Sequence, residues 1–530
     1  MKAHFRQSMA WLHTWGTLVF GWLLFFIFVL GTATVFHIEI TRWMQPERPL
    51  VLPIEPTSRE VMLTHALDYL EQHAEGKKQW SIFLPHEKQR HRQERRPLLA
   101  VAWQDSMTGQ VDLDPASGDV VPRVNVRDTE GGRAFLELHS ELHYLGEAIG
   151  VRLVAACAML GLLGLVTGIV VHKKIFKDFF TFRPGKGQRS WLDAHNVTGV
   201  MALPFFVMII YSGLVYFDKE SLPSPIAAHY GTQKNSVARY YGELTERPKK
   251  LLPVQRPVAS LISMLEQAEQ KLGQGEIGLI NITHPAGGVL QVQLRRPHGS
   301  ELPRYENPET TFRFDALTGE RLEVKEYGPG IRWRWLWLTL HDGWFATPAL
   351  LWLYVLSGLL GCVMIATGMI LWGVKRRERH IRENSPIGFG LNLVARLNIG
   401  MLAGLPVGVA AYFWANRLLP VSLADRAEWE IHCLFITWAW VILFGLLRPE
   451  KRAWIEVLSF SALAFGLLPV LNALKTDRHL GVTIPAGDWG LAGFDLSMLA
   501  LGAIFAAIAW KLWRRWHGSS HTVAVLMEGA

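Results

Sequence analysis

The chain has 530 residues, of which 50% are hydrophobic and 19% are charged. Soluble globular chains carry about 25% charged residues, so the composition argues against a cytosolic enzyme. Lys and Arg number 54 against 46 Asp and Glu, a formal charge of +8; this excess sits beside apolar runs, where it signals membrane topology and gives no support to a nucleic acid partner. Cys157, Cys362 and Cys433 all fall in apolar stretches, which excludes a disulfide framework, a CxxC redox pair and a thiolate zinc site.

About 20 apolar residues cross a bilayer core. Eight such spans are predicted, at about 14–37, 146–171, 196–217, 345–373, 395–418, 430–447, 453–474 and 492–512. Lys2 and Arg6 before the first run resemble the start of a secretory signal, but the run is longer than a signal core and carries Trp11, Trp15 and Trp22, so it is retained as an anchor. The domain plan is a first span in 1–37, an outer segment 38–145, a span 146–172 and a loop 173–194. A span 195–217, a second outer segment 218–344, a span 345–374 and a loop 375–394 follow, and 395–530 holds four further spans. Lys173, Lys174, Lys177, Arg183, Lys186 and Arg189 fill one loop, Lys375, Arg376, Arg377 and Arg379 the next, and Arg448, Lys451, Arg452, Lys511, Arg514 and Arg515 share their side. The positive-inside rule makes that side cytoplasmic, with both termini inside and both large segments outside.

The first 375 residues read as a tandem repeat. His13 and Gly31 in the first span are spaced like His195 and Gly213 in the third. Each outer segment holds an amphipathic helix candidate, about 57–74 and 257–272, then alternating strand candidates and a turn, Leu113-Asp-Pro-Ala-Ser-Gly118 or Phe314-Asp-Ala-Leu-Thr-Gly319. Asp and Ser/Thr bond nearby backbone in such turns, and Gly accepts positive φ. Each unit closes on a span ending Thr167-Gly168 or Thr367-Gly368. The last four spans do not match this unit and read as appended.

His13-Thr-Trp, Leu138-His139-Ser-Glu-Leu-His143, the run from His172 to Arg183, Ser190-Trp-Leu-Asp-Ala-His195-Asn, Leu340-His341-Asp-Gly and the two turns together resemble the PepSY-associated transmembrane-helix family of bacterial iron-regulated membrane proteins, over about residues 8–380. That family includes inner-membrane ferric-siderophore reductases carrying b-type haem. The resemblance implies two periplasmic α+β PepSY-like domains inserted in the repeat of a polytopic α-helical membrane protein. It also implies a bacterial inner-membrane location, b-type haem, and a ferric siderophore or other ferric chelate as the substrate reduced.

Two imidazoles that hold a haem must lie at matching depth on neighbouring helices. His13 and His195 occupy equivalent repeat positions at the inner ends of their spans; His143 and His341 occupy roughly equivalent positions at outer ends, after a two-residue adjustment. The repeat therefore predicts two haems per chain, one between His13 and His195 and one between His143 and His341. A lone span-end histidine is ordinarily an interfacial residue; four at paired positions favour function. His139, one turn from His143, is an alternative outer ligand, His172 an alternative inner one, and His37 lies at the outer end of the first span. His65, His73, His86 and His91 read as solvated, and His432 has no evident partner. His13 and His37 lie about 36 Å apart along one helix, enough to connect both faces. Arg152, Lys174 and Arg189 are candidates to pair haem propionates.

Arg332, Trp333, Arg334, Trp335 and Trp337 precede His341. Arg offers a fork and Trp a flat surface suited to an anionic ferric chelate, although an interfacial aromatic belt has the same composition. The sequence holds no GxGxxG after a strand, no P-loop and no cytoplasmic segment long enough for a flavin or nicotinamide domain. The expected donor is a separate protein, a diffusible reduced flavin or a membrane quinol. The reading is thus a transmembrane ferric-chelate oxidoreductase in a lipid bilayer. A non-redox membrane anchor that binds or inhibits a periplasmic peptidase is the alternative class, and a transporter a third, weakened by the lack of paired broken segments.

Overall fold

A computed structural model describes residues 3–50, 56–85, 98–103, 110–172, 182–218, 223–245, 250–296, 311–324, 328–343 and 345–528. A chain segment in hydrocarbon must satisfy its own backbone, so the apolar runs become helices. In chain order these begin with α1 (Ala3–Thr34), the short α2 (His37–Met44), α3 (Arg59–His73), α4 (Arg133–Ser140) and α5 (Glu147–Val171). Then come α6 (Gln188–Met201), α7 (Leu203–Tyr216), α8 (Pro223–Tyr230), α9 (Ser236–Thr245), α10 (Leu261–Leu272), α11 (Pro329–Asp342) and α12 (Pro348–Arg382). The remainder is α13 (Phe389–Asn398), α14 (Gly404–Leu418), α15 (Arg426–Leu447), α16 (Glu450–Gly466), α17 (Leu468–Lys475), α18 (Leu480–Thr483) and α19 (Trp489–Glu528).

Among the described residues seven helices are long and apolar enough to span a membrane, and α6 with α7 makes an eighth bent by 68°. The bend falls at Ala202, just before Pro204, whose ring and missing N–H prevent one straight helix from running through. Each of the eight predicted spans thus has its helix. The chain divides into two units, one of Met1–Leu50, Val126–Tyr211 and Leu353–Ala530, the other of Val51–Asn125 and Ser212–Trp352.

The second unit contains β1 (Gln79–Phe83), β2 (Leu99–Trp103), β3 (Val111–Leu113), β4 (Leu251–Leu252), β5 (Leu279–Pro285), β6 (Gln291–Arg295), β7 (Thr311–Asp315) and β8 (Arg321–Leu322). The repeat expects two outer modules, each with its own strands. Instead β1 of the first segment pairs antiparallel with β5 of the second, Trp80 opposite Ile282 and Ser81 opposite Asn281, and all the strands join one sheet in the order β3-β2-β1-β5-β6-β7-β8, with β4 beside β5. The joined sheet buries Trp80, Ile82, Ile280, Ile282, Val292 and Phe314 in one core with Leu67 and Leu265 of α3 and α10. The repeat survives in local detail. Ser58 and Ser260 cap α3 and α10, each accepting from the N–H three residues on. Asp114 and Asp315 each accept from two backbone N–H groups of their turns, and Gly118 and Gly319 take φ of 77° and 76°.

The last four spans are tied into the first unit by buried polar groups. Arg426 and Glu430, both fully buried, pair on α15, and Glu430 also accepts from the Asn416 amide at 2.7 Å and the Thr129 hydroxyl. The Arg417 guanidinium donates to Asn472 at 3.0 Å, Asn472 to Asp495 at 3.0 Å, and the Trp43 indole to Asp495 at 2.9 Å. Arg42 reaches Asp488 at 2.6 Å. Charges this deeply buried persist only when paired, and among the described residues the Arg426 Nε alone of that guanidinium's nitrogens finds no acceptor. The extension is therefore locked onto α2 and the segment before α4.

Candidate functional site

The Nδ1 of His13 on α1 lies 3.0 Å from the Gly164 carbonyl of α5, and a Cβ added to Gly168 would come within 3.3 Å of the same ring. On α6, His195 Nδ1 lies 2.8 Å from the Met364 carbonyl of α12, and a Cβ on Gly368 would come within 3.0 Å of it. The two rings are neighbours in an edge-on arrangement, centres 6.3 Å apart and planes at 65°. A helix carbonyl already accepts from the N–H four residues on; when that residue is glycine no side chain covers the oxygen, and a ring from a neighbouring helix reaches it. The Thr-Gly steps that close the two repeat units are the seats of the two histidines that open them.

The same arrangement recurs twice more. His139 on α4 lies 2.9 Å from the Ile27 carbonyl, against Gly31, whose added Cβ would meet the ring at 2.6 Å. His341 at the end of α11 has its Nδ1 2.9 Å from the Ser212 hydroxyl and lies against Gly213. The repeated His-and-Gly spacing in spans one and three thus has a meaning that sequence alone did not supply: each span presents one imidazole and one seat for another. Carbonyl oxygens only accept, so Nδ1 of His13, His139 and His195 carries the proton and Nε2 keeps its lone pair.

The seat equivalent to that of His341 is taken by His139, the alternative that the sequence offered, and not by His143. The His143 Nε2 is 2.8 Å from a Glu428 carboxylate oxygen, and its backbone sits at φ 47° after Leu142 at φ 59°, a break that turns it away from the helical face of His139. Nor does His432 stand alone, since its Nδ1 lies 2.6 Å from the Tyr144 hydroxyl. His37 Nδ1 bonds the Thr34 carbonyl at 3.0 Å. His172 caps the end of α5 and lines a cavity with Arg189. Arg152 is exposed, and Lys174, His86 and His91 lie outside the described residues.

In the predicted chelate-binding set, Arg334 is taken. Its guanidinium lies 2.7 Å from Asp218, a buried carboxylate that also accepts from Tyr240 at 2.8 Å and Tyr241 at 2.6 Å. Burial, then these bonds, push the Tyr240 phenol up to about 12. Trp335 lies beside the Arg334 guanidinium, 5.9 Å from it. Arg332 and Trp333 remain exposed, with Trp337 stacked edge-on against Trp333 at 5.4 Å. Among the described residues no three His, Cys, Asp or Glu side chains assemble as a site for a bare metal ion.

Residues 10–375 match the PepSY-associated TM region. The chain belongs to that family. Every histidine-and-glycine seat falls inside the PepSY-associated TM region, whereas α13 to α19 lie beyond it. Over 409 residues the chain is also 26% identical to an uncharacterized protein of Pseudomonas aeruginosa, a match covering 71% of this chain and 93% of that one.

Proposed function

We propose that this PepSY-associated membrane protein is a b-type haem protein of the bacterial inner membrane that passes electrons outward and reduces a ferric siderophore or another ferric chelate, releasing Fe(II). The observation that carries the reading is the set of four histidines, each seated on a glycine. The residues fit the group. Two imidazoles bound to one metal at about 2 Å from each nitrogen have ring centres about 6 Å apart, and His13 and His195 stand at 6.3 Å with their Nδ1 protons committed to carbonyls. A second partner on the far nitrogen fixes the tautomer and orientation of a ligating histidine. His13 and His195 are proposed as the inner ligands. His139, seated on a carbonyl as His13 and His195 are, is proposed as an outer ligand in place of His143, and His341 keeps the outer-ligand role expected from the sequence.

A bound haem supplies one-electron cycling of its iron. The chain supplies the rest. Nδ1–H bonds to Gly164, Met364 and Ile27 hold the rings. Exposed Arg332 and Trp333 offer charge and a flat surface to an anionic chelate. A ferrous ion binds such oxygen donors more weakly than a ferric one, which is what frees the metal.

The deciding experiment is an absorption spectrum of the detergent-purified protein, oxidised and dithionite-reduced, with pyridine-haemochrome quantification, followed by ferric-chelate reduction in proteoliposomes read with a ferrous-specific chromogen. A sharp α-band on reduction, and Fe(II) formed only by haem-loaded protein, is the expected result. Protein that takes up no haem when expressed with added precursor sinks the proposal and returns the chain to the peptidase-binding anchor.

A further inference from the structure

A cavity of about 460 Å³ opens at the basic end of the first unit, with His172, Arg183, Lys186, Arg189, Asp193 and Glu378 in its lining. Its charge is lopsided. Asp193 is consumed by Arg183, at 2.8 and 2.9 Å, and Glu378 accepts from the Gln188 backbone N–H at 3.2 Å. Among the described residues Lys186 and Arg189 have no carboxylate within ion-pair distance. Glu378 holds the first N–H of α6, so the unpaired positive charge of the cavity is that of Lys186 and Arg189. The place matters as much as the charge. On α6, Leu192 shares a face with His195 one turn away; on α5, His172 lies one turn past Gly168, the seat of His13.

We infer that this cavity binds the phosphate end of a reduced flavin mononucleotide, the soluble donor to the inner histidine pair; the inference rests on the haem reading above. Nicotinamides give hydride and need a hydride acceptor, which a one-electron centre is not, whereas a dihydroflavin releases its electrons singly. A quinol calls for an apolar lining, and here the apolar wall is Leu192. The volume suits a mononucleotide rather than a protein loop. Each dihydroflavin oxidised to flavin releases two electrons and two protons; the electrons would pass singly to one-electron acceptors held by the histidines, two ferric centres being reduced per flavin, and both protons go to water.

The test uses the full-length protein in detergent and the fluorescence anisotropy of FMN, which reads binding whether or not haem is present. Wild type is expected to bind FMN, riboflavin without its phosphate much more weakly, and inorganic phosphate to compete. The Lys186→Gln, Arg189→Gln double variant is expected to lose about tenfold or more in FMN affinity, and stopped-flow reduction by dihydro-FMN to slow to match. Equal FMN binding by wild type and double variant, or none by either, overturns the inference. So does a fall in haem content in the double variant, which would assign the cations to haem carboxylates. Haem-free protein that still binds FMN through Lys186 and Arg189 would fail the haem reading while leaving the cavity assignment standing.

Discussion

His13 and His195 bring their ring centres to 6.3 Å, edge-on, each ring held from behind by a carbonyl of a different helix, Gly164 on α5 and Met364 on α12. Four helices thus converge on one pair of rings. Replacing either residue by alanine is expected to remove the same haem, about one equivalent per chain, and the double replacement to remove no more. Haemochrome content of the three variants is the check; additive losses would show that the rings serve separate groups.

The seats are as specific as the rings. Gly168→Leu and Gly368→Leu put a side chain where a Cβ alone would stand 3.3 and 3.0 Å from the imidazoles. Each is expected to abolish inner-haem binding while the detergent-solubilised protein remains monodisperse by gel filtration. Haem retained at the wild-type level in both would disconnect the glycines from the site.

His139 and His143 are expected to part company. His139→Ala should lower haem content, whereas His143→Ala should leave it intact and cost at most about 1 kcal/mol, because the Glu428 partner is half exposed. Thermal unfolding followed beside the Soret band separates the two effects, and the reverse pattern would restore His143 as the outer ligand.

Arg426→Ala or Glu430→Ala strands one buried charge, and each is expected to cost about 3–5 kcal/mol. An Arg426→Met, Glu430→Leu double variant, which removes both charges, is expected to recover much of that loss. Unfolding in detergent measures it; singles no worse than the double would mean water reaches the pair.

Arg332 and Arg334 are neighbours with different tasks. Arg332→Ala is expected to raise KM for an anionic ferric chelate with little change in stability. Arg334→Ala leaves Asp218 buried without its cation and is expected to lower the unfolding temperature. A chelate-reduction assay and a melting curve on the same preparations distinguish them.

Much of this was legible in the chain. Eight apolar runs of spanning length became seven long helices and one bent pair, because hydrocarbon leaves a backbone no other partner. The two Ser-capped helices and the two Asp–Gly turns were readable because their bonds are local. The inner pair was readable too, since His13 and His195 sit at identical repeat positions.

The glycine seat of the outer histidine was not. Counting to the closing Thr-Gly, His143 falls two residues short of the spacing of His341, and His139 exceeds it by as much. Spacing is therefore neutral, and the choice falls to the positive φ of Leu142 and His143 and to Glu428 on an appended helix. The joining of two half-sheets, the taking of Arg334 by Asp218, and the bonding of α13 to α19 onto α2 were equally invisible, since each is a contact between distant segments. By itself the sequence determined what depends on near neighbours and on the solvent: helices, caps, turns and the repeat. Tertiary structure alone decided which imidazole reaches which carbonyl, because a helix oxygen becomes an acceptor only where a glycine on its own strand of the bundle uncovers it and another helix passes at the right height.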